Sequence, residues 1–547
     1  MVSLPSGRFL WQLATVLAVL VSFVAVWWLD RHESRWGDPL RKRLVLGVPW
    51  GTLIVIVGVL FVYLFLQQGI ADWYRPLVIP FRAWSYLYPL GIIAAPFSHA
   101  SPGHLLGNLI GTLALAPIAE YAFSHYPTER GTQTFTSFRT NPFARILAFV
   151  GAVVVVGIFT GMFALGPVIG FSGVVFAFAG FALVRYPLTT IIGLSASSVI
   201  SLVYSALRTP ITEAQAGPVF QTPWWASIAI QGHALGLFAG VVLGVFLIHR
   251  RKVRPNAFRL WLGALLFSVG QGLWAVYWFR GAETFVLYRA LGTALVFSLA
   301  VLIAVGVSAS DRPLIRALDL SRWEAASGLL VVGLLLLSVP TVPVNLTTVD
   351  DPTAPGLNAV EVRDYTISYA EDVPNQMILA INVSAFNETT RVNTSGVIVI
   401  SEQRHIWTTA VTRGRLAFSG QETVRVGGVG WQETITVTRD GWTVVDNASV
   451  YKVHLQRPGA PETLAFVSDE SRAGFTISNK NISLVPSQLG YDVIVTRENE
   501  TLDRALLPAP NETVAVGGLD FTRTDDKIYV RDNGTRIQVA ARETYEG

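Results

Sequence analysis

A few polar residues stand out in a chain that is apolar for most of its first 340 positions. Ser172 lies in the run VIGFSGVVFAFAG (168–180), between Gly170 and Gly173. His233 lies in QGHALGLFAGVVLG (231–244), and His104 and Asn108 lie in PFSHASPGHLLGNLIG (96–111), with His99 just before them. A serine hydroxyl is a weak nucleophile until a base takes its proton. Histidine is the side chain most suited to that task near neutral pH. An imidazole N–H and a carboxamide N–H are donors of the kind that hold the oxyanion of a tetrahedral intermediate. Together these types suit acyl transfer by a serine nucleophile. Each also has a plainer use: small residues one turn apart let membrane helices approach, a serine can bond back to its own helix, and a membrane histidine can bridge two helices.

The choice between these uses depends on the elements that carry the residues. The chain has 547 residues, 51% hydrophobic and 14% charged, with mean hydropathy +0.46. That composition is a polytopic α-helical membrane protein with something attached. There are no cysteines, which excludes disulfides, thiolate metal sites and cysteine nucleophiles. The net charge of +4 conceals a split: residues 1–340 hold 23 Lys+Arg and 11 Asp+Glu, residues 341–547 hold 18 and 26. The basic excess belongs to the membrane half, where topology accounts for it, and nothing calls for nucleic acid.

Apolar runs long enough to span a bilayer fall near 9–30, 44–67, 101–121, 144–165, 170–186, 188–208, 225–248, 259–279, 285–308 and 323–343. The run at 170–186 is short, and only Pro187 divides it from the next. The first run is too long for a signal-peptide core and reads as a retained helix. Arginine-rich connections at 31–43, 122–143, 185–187, 249–258 and 309–322 alternate with poorer ones, notably 209–224, which has no basic residue. The positive-inside rule places the arginine loops in the cytoplasm, and the N-terminus and everything after 343 outside.

The sequon N-x-[ST] agrees with that topology. It occurs at Asn345, Asn382, Asn387, Asn393, Asn447, Asn481, Asn499, Asn511 and Asn533, and nowhere in the first 340 residues. These asparagines are candidate glycan acceptors on an extracytoplasmic domain. Within about 344–547, segments such as SGVIVISEQ and YDVIVTREN are rich in β-branched residues between Gly, Asn and Pro turns, which predicts an all-β, sandwich-like domain. His405 and His454 there are isolated and read as ordinary strand or surface residues.

With this topology the polar groups converge. Ser172, His233 and the His104–Asn108 pair, four apart on one helix face, all lie toward the outer ends of inward-running helices. Ionisable residues inside a membrane are costly and mark function by default. Gly232, Gly236, Gly240 and Gly244 form a ridge at spacing four that lets the His233 helix pack closely on a neighbour.

On these residues the membrane half resembles the rhomboid intramembrane serine proteases. The family's HxxxxHxxxN reads here as His99, His104 and Asn108, its GxSG as Gly170 to Gly173, and its HxxGxxxG as His233, Gly236 and Gly240. Phe176 is the aromatic one turn after the serine, and Glu120 the glutamate three turns after the asparagine. The likeness covers about 44–248, a six-helix core. It divides the chain into an extra N-terminal helix and cytoplasmic loop (1–43), the core (44–248), three further helices (249–343) and the β-rich domain (344–547). The resemblance implies a Ser–His dyad without a third acid: Ser172 attacks, and His233 acts as base and then acid. The Ser172 N–H, His104 and Asn108 would hold the oxyanion, Phe176 would stack on His233, Glu120 would be structural, and His99 would be a polar support. It implies no cofactor and no metal. The partners expected are the lipid bilayer and transmembrane segments of other proteins, cut near their outer ends, with an extracellular partner for the C-terminal domain.

Two departures matter. The Trp-Arg pair usual in the family's first external loop is replaced by candidates Tyr74-Arg75 and Phe81-Arg82, and Gly232 stands where alanine is common before the histidine. Two other classes compete. A rhomboid-like pseudoprotease would bind helices without cutting, but such proteins typically lack a dyad member. A transporter or channel would show paired mid-membrane charges and an internal repeat, neither of which the sequence offers.

Overall fold

The computed structural model describes the chain except residues 1–6, 31–36, 212–219, 252–254, 282, 311, 316–319, 347–354, 378–380, 385–386, 533 and 547. The chain divides into two compact units. The first takes in residues 1–280 and 284–348 with a short segment at 428–430, and the second the rest of 281–547.

The first unit is helical. In chain order its helices are α1 (Gly7–Asp30), α2 (Gly37–Arg43), α3 (Trp50–Phe61), α4 (Pro89–Ala94), α5 (Pro102–Phe123), α6 (Pro142–Phe163), α7 (Ser172–Arg185), α8 (Pro187–Arg208), α9 (Ile230–Arg250), α10 (Ala257–Gly270), α11 (Arg289–Ser308), α12 (Arg322–Ser338) and α13 (Thr341–Asn345). Prolines open α4, α5, α6 and α8, where the missing N–H costs nothing and the fixed φ suits the first turn. Ser101 caps α5 and Asn141 caps α6, each accepting from a first-turn N–H. Ser321 and Glu324 form a reciprocal capping box at α12. Among the described residues, six helices are long and apolar enough to cross a membrane: α5, α6, α8, α9, α11 and the α12–α13 pair. Apolar helices of 10–17 residues lie at Arg8–Ser22, Trp50–Leu66, Ser172–Arg185 and Ala257–Gly270.

One expected span is corrected. The run at 259–279 is helical only to Gly270, while the run at 285–308 holds a helix long enough to span, from Arg289 to Ser308. Between them Tyr277–Phe279 pairs antiparallel with Phe285–Leu287. Hydropathy cannot tell these aromatic and β-branched residues from a helix, but Gly270, Gly272 and Gly281 interrupt the helix and close the hairpin.

At 14 residues α7 is about 21 Å long, short of a hydrocarbon layer of about 30 Å. It compensates by lying inside the bundle. Every residue from Gly173 to Gly180 is buried, and so are Ala182, Leu183 and Val184. Its closest neighbour is α9, and the contact is backbone on backbone. A Cβ on Gly236 would fall 2.0 Å from the Gly173 carbonyl oxygen, and one on Gly240 2.0 Å from that of Ala177. The glycine ridge thus sets the distance between the two helices that carry Ser172 and His233. The helices after α9 pack back on this core: His249 stacks on Trp323 of α12 with ring centroids 3.8 Å apart, and Gly333 of α12 meets the Phe238 ring of α9.

The second unit is all-β. An eight-stranded sheet, in which Trp431–Val444 pairs antiparallel with both Ser449–Gln456 and Thr535–Arg542, curls over a four-stranded meander running from Ser471 to Leu506. Ile482, Leu484, Val493 and Val495 of the meander meet Phe521, Ile528, Val530 and Val539 in one core. A further four-stranded sheet is built from Val360–Val362, Tyr365–Pro374, Asn393–Ser401 and Ile406–Thr412.

The sequons divide by exposure. Asn382, Asn387, Asn393, Asn447, Asn499 and Asn511 are exposed, and Asn533 lies outside the described residues. Two do not fit the expectation. Asn481 is buried within a strand, with its Oδ1 accepting from Arg472. Asn345 is 2% exposed, and its side-chain amide donates to the carbonyls of Met162 and Ala164. A nitrogen so placed has no room for a glycan in the folded chain.

Candidate active site

The site lies where the N-terminal ends of α5, α7 and α9 meet. Ser172 is the first residue of α7. His233 is in the first turn of α9, and its Nε2 lies 2.8 Å from Ser172 Oγ. The His233 ring stacks on Phe176, one turn along α7, with centroids 4.3 Å apart and planes 16° from parallel. The stack fixes the imidazole plane, and the hydrogen bond fixes its reach. His233 Nδ1 is buried and meets no protein acceptor among the described residues.

Gly170 makes room for the third element. Its φ is +125°, a conformation open to glycine, and the His104 ring occupies the place a Cβ would take, with Nε2 at 2.6 Å. His104 therefore packs directly on the turn that leads into Ser172. His104 Nδ1 accepts a long contact of 3.5 Å from the Ala100 N–H, which favours the tautomer carrying its proton on Nε2. Asn108 is one turn further along α5 and 8% exposed, and its Nδ2 is buried without a protein partner. A buried donor left unpaired is costly and belongs to sites that bind something. His99 is fully buried beside this pair. Gln67 bonds both its N–H and its carbonyl, and its ring stands edge-on to His104 at 5.1 Å. That makes it a support for the His104 ring.

Glu120 sits at the other end of α5, about 24 Å along the helix from His104. It is fully buried and accepts from Gly51 N (2.7 Å), Thr52 N (2.8 Å) and Thr52 Oγ1 (2.7 Å), and it pairs with His125 Nε2 (2.6 Å). It satisfies the first-turn N–H groups of α3, which have no intrahelical acceptor. Gly173 packs on Thr160 of α6. At Gly232 an added Cβ would meet only Ala164 Cβ at 3.4 Å and Ala229 Cβ at 3.9 Å, so alanine would be accommodated there. Of the two candidate aromatic–arginine pairs, Tyr74 is exposed. Phe81 is fully buried, and Arg82 Nη1 donates to the Pro167 carbonyl beside the nucleophile turn.

Several contributors carried no motif. His125 completes the Glu120 network, accepting from Val45 N through its Nδ1. Gln231 and Asn345 bond the backbone between α6 and α7. The signal for Gln231 was a lone carboxamide opening an apolar helix. The signal for Asn345 was masked by its reading as a sequon.

Residues 82–250 match the family model of the Rhomboid domain. This chain is a multi-pass membrane protein, and the segment bearing Ser172 and His233 is the one that matches the Rhomboid domain. The helix α3, which Glu120 ties to the bundle, precedes the matched segment, and α10 to α13 follow it. Comparison with curated proteins and with solved structures gave no match.

Proposed function

We propose that the protein is an intramembrane serine endopeptidase that cuts transmembrane segments of other proteins. The observation that carries this reading is the 2.8 Å contact between Ser172 Oγ and His233 Nε2, on helices held together by glycine backbone contact. A pair at hydrogen-bond distance with the histidine plane fixed is the geometry of an activated nucleophile.

In this mechanism Ser172 Oγ attacks the scissile carbonyl carbon as its proton passes to His233 Nε2. The oxyanion that forms accepts from Asn108 Nδ2, His104 Nε2–H and the Ser172 N–H, which as the first N–H of α7 has no intrahelical acceptor. His233 then gives the proton to the departing amine. Water, deprotonated by the same nitrogen, releases the acyl group and restores Ser172. The short α7 supports placing this chemistry below the bilayer surface, where a substrate helix must unwind to expose its peptide bond. In this reading the β unit is extracytoplasmic, carries glycans at exposed sequons and meets an extracellular partner. The arginine-rich loops of the membrane half and the exposed sequon asparagines support that orientation.

The test is cleavage of a single-pass substrate by purified protein in lipid. Wild type should cut, while Ser172→Ala and His233→Ala should lose on the order of 10⁴-fold or more in turnover. Equal cutting by all three would sink the proposal. Intact fold with no cutting of several flexible substrates would favour a protein that binds helices without hydrolysis.

A further inference from the structure

The backbone that runs from α6 into Ser172 is irregular and lies within the helical bundle. Residues 164–171 form no helix, yet α6 before them is long and apolar enough to cross a membrane and α7 after them is an apolar helix buried in the bundle. At membrane depth such backbone is tolerated only where its polar groups find protein or water. Here each described partner is specific. Gly170 N–H donates to Ala95 O, Ala83 N–H to Val168 O, and Arg82 to Pro167 O. These partners belong to the rhomboid domain, and so does Gln231. Its Oε1 accepts from Leu165 N (2.9 Å), and its Nε2 donates to Phe163 O (2.9 Å).

Within the matched segment, Val168 N–H also donates to Gly166 O and Tyr86 OH to Met162 O, and further bonds come from outside it. Asn345, at the end of α13, accepts from Gly166 N through Oδ1 (3.3 Å). Its Nδ2 donates to Ala164 O (2.7 Å) and Met162 O (3.0 Å), and its own carbonyl accepts from Tyr86 N (2.9 Å). The Leu337 carbonyl of α12 accepts the second bond of Gln231 Nε2 at 2.6 Å. The Asn345 carboxamide thus closes the end of α6 and fixes the start of the turn, and the Asn345 backbone carbonyl ties them to the segment before α4. A second contact reaches the histidine side of the site. Phe267 of α10, 1% exposed, stands edge-on to Phe176 at 5.2 Å, and Phe176 is the ring that stacks on His233.

We infer that the helices following the rhomboid domain are a working part of the site: Asn345 is a positioning residue for the Ser172 turn, and Phe267 one for the His233 ring. The inference rests on the peptidase reading for its activity readouts. Its geometric claim stands apart from that reading. It also makes Asn345 an unglycosylated asparagine despite its sequon.

The experiment uses full-length protein in lipid: wild type, Asn345→Ala, Asn345→Asp, Phe267→Leu and, as control, Thr347→Ala, which removes the sequon and leaves Asn345 in place. Three quantities are measured: kcat and KM on a single-pass substrate, the rate of covalent labelling of Ser172 by a fluorophosphonate, and hydrogen exchange of the peptide covering 162–170. Asn345→Ala and Asn345→Asp should lower kcat and labelling about 10- to 100-fold, with KM within about twofold, since small misplacement of reacting groups acts on the chemical step. Exchange at Gly166 should rise in Asn345→Ala, whereas Asn345→Asp keeps an oxygen for that N–H and loses the two bonds donated by Nδ2. Phe267→Leu should lower kcat with no change in exchange there, and Thr347→Ala should match wild type. Wild-type kcat and labelling in both Asn345 variants, with wild-type exchange in Asn345→Ala, would overturn the inference, as would a Thr347→Ala defect equal to that of Asn345→Ala. If Asn345→Ala fails to fold, the isosteric Asn345→Asp and the independent Phe267→Leu still decide it. If wild type neither labels nor cuts, the peptidase reading has failed, and the exchange difference alone still tests the brace.

Discussion

His125 and His233, both in the membrane unit, differ in how their nitrogens are used. His125 has both committed: Nε2 to Glu120 and Nδ1 to the Val45 N–H, in a network where the Glu120 carboxylate accepts three further bonds. His233 has one nitrogen on Ser172 and the other without a protein partner, beside an Asn108 donor that is likewise uncommitted. Burial strips every polar group of its water, at a cost that is larger for an ionised group than for a neutral one. A network that repays it fully holds the fold. A constellation that leaves donors unpaid is kept for what it does to something else. By that criterion one end of the bundle is architecture, and the other is where we propose the chemistry takes place.

The comparison breaks first under paired substitution. His233→Ala should abolish turnover while leaving thermal unfolding near that of wild type. His125→Ala should do the reverse: it leaves a buried carboxylate short of a partner, costs about 1–3 kcal/mol and keeps activity per folded molecule. Purified yield, unfolding temperature and turnover separate the two. Next in size is Asn108→Ala, expected to lower kcat about 10²- to 10³-fold at nearly constant KM, the cost of one oxyanion donor. An equal loss in substrate binding would make Asn108 a substrate contact instead. Gly236→Ala follows. Its new carbon cannot coexist with the Gly173 carbonyl at 2.0 Å, so the helices must part and Ser172 must leave His233. A loss of about 10²-fold in turnover is expected, with less effect from Gly232→Ala, where space is open.

The smallest effect lies in the β unit. Burial pushes the Glu543 carboxyl up, but hydrogen bonds from Arg439, with Ser449 and Tyr545, outweigh burial and hold it below its ordinary value. A carboxyl depressed in the folded state stabilises above its unfolded pKa, and that contribution drains as pH falls through the folded pKa. Stability of the β unit should therefore decline on acidification below the ordinary carboxylate range. Glu543→Gln should flatten that decline and lower stability at neutral pH. Calorimetry across an acid series checks both.

Much of this was legible before any coordinates. Polar residues in membrane helices are few, so Ser172, His104, Asn108 and His233 were conspicuous, and the glycine spacing at Gly236 and Gly240 announced a close contact. Alternation of β-branched residues announced the β unit. What stayed hidden were bonds between segments far apart in sequence, such as Asn345 to Gly166 and His125 to Val45. A carboxamide at the end of an apolar run has no local pattern to betray its partner. The Tyr277–Leu287 hairpin was hidden for another reason: hydropathy measures apolarity and is blind to backbone conformation.

The most direct test of the central claim is fluorophosphonate labelling of the intact protein in lipid, with the adduct mapped by mass spectrometry. An adduct on Ser172 that disappears in His233→Ala is the result expected of a nucleophile activated by that imidazole. Labelling elsewhere, no labelling of folded protein, or equal labelling of Ser172 without His233 would contradict it.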